Sequence, residues 1–138
     1  MPIDPALPTV YPSFRYRDAP AAIAWLTKAF GLTESFVVPG EAGTIAHAEL
    51  TWGSGVIMLG SWSDGADGRI PGGNGVTWIY LAVDDPDEHH RRAVQAGAEV
   101  IRPLETTDYG SRGYTALDPE GNSWSFGTYQ PGPAKPGD

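Results

Sequence analysis

Two periodicities divide the chain. Between residues 19 and 31, Ala22, Trp25, Leu26, Ala29 and Phe30 recur at helical spacing, and Ile23 widens the stripe. Asp18 is placed to cap the start of this helix, and Gly31 to supply the left-handed residue at its end. A second helix is predicted where Asp85, Pro86 and Glu88 give a cap, a first-turn proline and a capping-box carboxylate. Its apolar face is thin (Ala93, Val94, Ala96), so it is expected to be the more exposed of the two. Elsewhere the period is two. Strands are predicted at 11–17, 33–38, 44–52 and 55–61, then at 76–83, 98–104, 112–117 and 122–129. Gly53-Ser54-Gly55 and Asp118-Pro119-Glu120-Gly121 are turn chemistry joining the last two strands of each set.

The pattern repeats. A shift of 66 residues lays Asp18-Ala19-Pro20 on Asp84-Asp85-Pro86, Gly31 on Gly97, Ala46–Thr51 on Arg112–Leu117, and Val56–Gly60 on Asn122–Phe126. Each half reads strand, helix, three strands. The expected fold is therefore α+β: one domain of two tandem βαβββ modules, about 8–61 and 76–130. A Gly/Asp/Ser-rich loop at 62–75 joins them, and proline-rich tails at 1–7 and 131–138 flank them. Two curved sheets with helices on their convex sides make a mixed-sheet cup whose concave face is free to bind something.

Composition narrows the partners. Seventeen acidic against nine basic residues leave a net charge of −8, which disfavours nucleic acid and anionic membrane surfaces. The absence of cysteine excludes disulfides, thiolate metal sites and a thiol nucleophile. No apolar run approaches 18 residues and the first eight lack a basic region, so neither a membrane span nor a signal peptide is expected. A cytoplasmic location follows as the expectation.

Three segments carry a resemblance: Phe14-Arg15-Tyr16-Arg17-Asp18-Ala19 leading to Phe30-Gly31-Leu32; His47-Ala48-Glu49-Leu50; and Asp118-Pro119-Glu120-Gly121-Asn122-Ser123-Trp124-Ser125-Phe126. In order and spacing they resemble the vicinal oxygen chelate superfamily of glyoxalases, extradiol dioxygenases and bleomycin-resistance proteins, over residues 8 to 130. The resemblance implies four metal-ligand positions, two per half. Carried onto this chain they fall on Tyr11, Glu49, Trp78 (or Thr77 if the register slips by one) and Ser125. Only Glu49 is a good ligand for a divalent cation. No metal and no other cofactor is expected.

Strand alternation brings Tyr11, Ser13, Arg15, His47, Glu49, Ile57, Leu59, Trp78, Tyr80, Ser123 and Ser125 to the cup, and turns Phe14, Ala46, Ala48, Leu50, Trp52, Trp124 and Phe126 toward the helices. His89 and His90 lie in the second helix, away from the cup. The expected ligand-binding residues are Tyr11, Arg15, His47, Glu49, Trp78, Tyr80 and Ser125. Aromatic surface with a few polar anchors suits a flat organic molecule, although the same rings could simply fill the cup. The leading reading is a metal-free binding protein resembling the bleomycin-resistance type. It would be a homodimer with grooves built from both chains, sequestering an amphipathic aromatic compound such as an antibiotic or secondary metabolite. The alternative is a glyoxalase- or dioxygenase-like enzyme (lyase, isomerase or oxygenase). There Glu49 would act as a desolvated catalytic base, or as a metal ligand together with His47. The loop at 62–75 reads either as a lid or as a plain linker.

Overall fold

The computed structural model describes residues 4–8, 10–63 and 77–132. The predicted central loop and tails lie largely outside them. The first unit runs β1 (Ser13–Tyr16), α1 (Ala19–Trp25), β2 (Thr33–Pro39), β3 (Ile45–Trp52) and β4 (Gly55–Ser61). The second runs β5 (Trp78–Ala82), α2 (Pro86–Gln95), β6 (Glu99–Thr106), β7 (Arg112–Leu117) and β8 (Ser123–Gly127). Each forms a four-stranded mixed sheet with the same order, β1-β4-β3-β2 and β5-β8-β7-β6, its first strand parallel to its last. The α+β repeat read from the sequence is what the chain builds.

The caps form as expected. Asp18 and Asp85 each accept a hydrogen bond from a first-turn backbone N–H, and Gly31 closes the first helical segment at φ 80°. Glu88 departs from the capping-box expectation, since its carboxylate pairs with Arg91 one turn on. The two units are not in strict register. Asp18 and Asp85 are 67 residues apart, whereas Gly31 and Gly97 are 66 apart. The first helix takes up its extra residue by widening into a π-helical turn at Leu26–Phe30. The turn at 118–122 is in compensation one residue longer than its counterpart, so Met58 and Ser125 occupy equivalent positions, 67 residues apart.

That compensation corrects two placements. A constant 66-residue shift puts Ile57 and Leu59 opposite Ser123 and Ser125, on the cup. They are instead buried against the helices, in register with Leu50 and Ala48, and it is Met58 that shares a face with Glu49. A one-residue slip reverses every side chain of a strand. Ala46 is likewise exposed rather than core, because the pairing of β2 with β3 shifts register between Val38 and Pro39 and brings Ile45 inward.

The helix-side faces of both sheets share one core, from Phe14, Leu50 and Leu59 to Tyr114, Trp124 and Phe126. Phe14 stacks on Trp124 with centroids 5.3 Å apart. Polar ties cross the same seam. Tyr16 donates its hydroxyl to buried Asp118 at 2.6 Å, and Glu120 accepts from the backbone N–H groups of Arg17 and Asp18. The indole of half-buried Trp52 reaches the carbonyl of Ala82 at 2.8 Å, and Arg92 caps the carbonyls of Thr27 and Lys28. With the helix side of each sheet committed to this core, the opposite faces are left open.

Candidate functional site

Register defines a row of side chains across each open face. In the first sheet it is Ser13, Met58, Glu49 and Phe36; in the second it is the equivalent Tyr80, Ser125, Thr115 and Arg102. The last position in both rows follows a register shift at the same place in β2 and β6, between Glu34 and Phe36 and between Val100 and Arg102.

The first face is charged at its centre and apolar at its edge. His47 Nε2 lies 2.7 Å from Glu49 Oε2, and both side chains remain more than a third exposed. The desolvation expected of a catalytic Glu49 is therefore not supplied by this chain. Phe36 and Val38 are exposed beside the pair, and the Phe36 ring approaches His47 at 6.3 Å between centroids. Arg15 pairs with Gly60, where a Cβ would stand 2.5 Å from its Nη1 and 3.1 Å from the Ala46 carbonyl oxygen. Only glycine lets the guanidinium lie so close over β4.

The second face holds a concavity. A cleft of about 240 Å³ is lined by Trp78, Tyr80, Arg102, Glu105, Tyr109 and Ser125 among others. An adjoining one of about 330 Å³ shares Trp78, Arg102 and Ser125 and adds Thr115. Trp78 is 71% exposed, yet its indole N–H is fixed on Ser125 Oγ at 2.8 Å, and Ser125 Oγ lies 2.7 Å from Thr115 Oγ1. The indole is thus held in place with its ring open. Tyr80 donates to the Tyr129 carbonyl at 2.6 Å, and its phenol is pushed above the ordinary value, chiefly by burial. Tyr109 enters from the β6–β7 hairpin, whose tip is tied by Thr107–Ser111 hydrogen bonds.

The predicted residues therefore separate into two groups. Trp78, Tyr80 and Ser125 come together on the second sheet. Arg15, His47 and Glu49 lie on the first, and none of them lines either cleft. Tyr11 joins neither: it precedes β1, which begins only at Ser13, and its hydroxyl bonds the Pro8 carbonyl. Arg102, Thr115, Tyr109, Tyr129, Phe36 and Met58 escaped the sequence reading. Register shifts in β2 and β6 hide Phe36 and Arg102 from simple alternation, and the changed spacing of β4 hides Met58. A larger groove of about 390 Å³ lies at the seam below the β3–β4 hairpin, with Leu50, Ile57 and Leu81 in its wall. Tyr80 is its sole predicted site residue.

The four ligand positions that the resemblance implies do not suit a divalent cation. Glu49 is engaged by His47, Ser125 Oγ by Trp78 and Thr115, the Trp78 indole has no lone pair to give, and Tyr11 turns to Pro8. Among the described residues, no group of three or more His, Cys, Asp or Glu side chains could hold a metal ion.

Known proteins share this architecture. An uncharacterized protein of Mycobacterium bovis is 36% identical over 126 residues, 87% of this chain and 82% of its own length. TioX from Micromonospora sp. ML1 superposes with a TM-score of 0.75 at 31% identity, over 88% of this chain and 99% of that one. Lactoylglutathione lyase from Agrobacterium tumefaciens shares the fold with a TM-score of 0.66 at 24% identity, over 87% of this chain and 93% of its own. The model of the glyoxalase/bleomycin resistance protein/dioxygenase superfamily matches residues 9–126. With that match over most of its length and a relative at 36% identity, the chain belongs to that superfamily.

Proposed function

We propose that the protein is a metal-free binding protein that sequesters an amphipathic aromatic compound, such as an antibiotic or secondary metabolite, against the open face of its second sheet. One observation carries this reading. Trp78 stands 71% exposed in a cleft with its only hydrogen-bonding group already satisfied, so what it offers a ligand is its ring face. Tyr80 and Tyr109 extend that aromatic wall, and large exposed aromatics grouped in a concavity mark ligand sites. The donor set described above supports the metal-free part of the proposal.

The first face enters through a second copy. In the proposed homodimer, Arg15, His47 and Glu49 of one chain close the second-sheet cleft of its partner, giving two equivalent grooves about a two-fold axis. The His47–Glu49 contact at 2.7 Å favours one further reading, a base at the groove wall serving glyoxalase-like chemistry.

Titrating planar naphthalene and biphenyl probes against the intrinsic tryptophan fluorescence tests the main reading. The Trp78→Ala variant should lose binding at least tenfold, about the worth of one stacked aromatic contact. Equal binding by the variant would overturn the site. Elemental analysis of protein purified without chelator should find no stoichiometric divalent metal, and finding one would overturn the metal-free part. Turnover abolished by Glu49→Gln with the fold intact would establish the enzyme reading instead.

A further inference from the structure

We infer that the ligand of this cleft is an acid: a planar aromatic molecule carrying an anionic, hydrogen-bond-accepting group, a carboxylate or ionised phenol, held by Arg102 and the Ser125–Thr115 hydroxyl pair beside the Trp78 ring. The inference rests on the binding-site reading above and adds the chemical class of what is bound.

A count of protons supports it. Trp78 donates to Ser125 Oγ, and Ser125 and Thr115 share a single hydrogen bond of 2.7 Å. Two hydroxyls bring two protons, and one bond consumes one of them. The other has no acceptor among the described residues, although Ser125 is 2% and Thr115 7% exposed. The cleft floor thus offers a spare donor.

Arg102 offers more. Of the described arginines, Arg91 and Arg112 are paired with carboxylates and Arg92 with helix-end carbonyls, which leaves Arg15, Arg17 and Arg102, and of these three Arg102 alone lines the clefts. Arg102 lines both clefts, and among the described residues its guanidinium takes part in no hydrogen bond or ion pair. Glu105 lines the same cleft without coming within ion-pair distance of it. In a protein with seventeen acidic and nine basic side chains, a guanidinium left unneutralised beside an exposed indole is placed for an anion from outside. It stands in the Thr115–Ser125 row, so charge and spare hydroxyl serve one ligand group. Within the row the charged group is the Arg102 guanidinium, whereas the Glu105 carboxylate that could receive a cation lies outside it.

Three isosteric probes separate the possibilities: 2-naphthoate, 2-naphthamide and 2-naphthylmethylammonium, titrated by calorimetry and by the Trp78 Nε1–H resonance. The naphthoate should bind about tenfold or more tighter than the amide, the scale of a charge-assisted hydrogen bond. Arg102→Gln should remove that advantage, bringing the affinity for the naphthoate down to that for the amide. Equal affinity for all three, or preference for the ammonium probe, would overturn the acid inference while the aromatic site stands. Failure of all three to bind would overturn both.

Discussion

Asp118 shows how much the fold asks of one side chain. Its buried carboxylate accepts from the Tyr16 hydroxyl, the Trp124 indole and the Asn122 amide, and from the backbone N–H groups of Glu120 and Asn122. It joins the turn before β8 to the end of β1. Tyr16→Phe removes one donor and should cost about 1–2 kcal/mol in urea unfolding. Asp118→Ala strands four buried donors, the Tyr16 hydroxyl, the Trp124 indole and the Asn122 amide and backbone N–H, and should cost about 4 kcal/mol or more, at roughly 1–3 kcal/mol for each. His89 occupies the other side of the core. One ring nitrogen donates to the Phe30 carbonyl at 2.7 Å and the other accepts from the Tyr114 hydroxyl at 2.6 Å, an assignment forced by the carbonyl having no proton to give. Burial holds its pKa below the usual histidine value, with the Arg92 charge adding to the effect and the Phe30 carbonyl opposing it. The unfolded chain therefore takes up this proton more readily than the folded one. Its contribution is fully present above the unfolded value of about 6.5 and declines as the pH falls through that value toward the lower folded one. Urea midpoints should drop between about pH 7.5 and 5.5, and the drop should be smaller in His89→Gln, whatever that variant's stability at neutral pH.

At the scale of elements, the sequence displayed its repeat openly and concealed its phase. Caps and helix-ending glycines are local signals, so Asp18, Gly31, Asp85 and Gly97 marked both helices correctly. The buried stripe Ala22, Ile23, Leu26, Ala29 and Phe30 was equally plain, because helical periodicity survives a single widened turn. Facing was harder. The π-helical turn, the unequal hairpins and the shifts in β2 and β6 each displace the chain by one residue, which composition does not reveal and which inverts a strand. Alternation placed Trp78, Tyr80 and Ser125 on their common face because β5 and β8 pair without interruption; it missed Arg102 because the β6 shift sets that residue on the cleft face. Gly31 tests the first element directly. It lies at φ 80°, and a Cβ there would meet Arg92 Nη1 at 3.2 Å. Gly31→Ala should destabilise by about 1–2 kcal/mol from backbone strain alone, and more if Arg92 is driven off the carbonyls it caps. Chemical denaturation of the single variant and of Gly31→Ala with Arg92→Met would separate the two contributions.

For the whole molecule, the arrangement of apolar surface favours a second copy. A chain whose helices and both sheets already share one core has no internal use for Phe36, Val38, Trp78 and Ile101, all of which remain exposed. Phe36 and Val38 lie on the first open face, beside His47 and Glu49, and Trp78 and Ile101 line the second. Single exposed apolar residues need no explanation, but grouped ones on two sheet faces do. Packing the first face of one chain over the second face of another satisfies both at once, and the two-fold axis makes the contact occur twice. A stable interface of this kind has to bury roughly 1,200–2,000 Å². In the proposed dimer this packing would also bring Arg15 and Glu49 to the cleft that holds Arg102, around the one proposed ligand. Sedimentation velocity should therefore report a dimer. Phe36→Glu puts a carboxylate on the joining face and beside Glu49 of the same row, so it should yield a folded monomer with unchanged far-UV circular dichroism. That monomer should retain weak naphthoate binding through Trp78 and Arg102 and lose whatever affinity the partner's Arg15 contributes. A dimer untouched by Phe36→Glu would place the interface elsewhere, and the first sheet would then have no part in the ligand site.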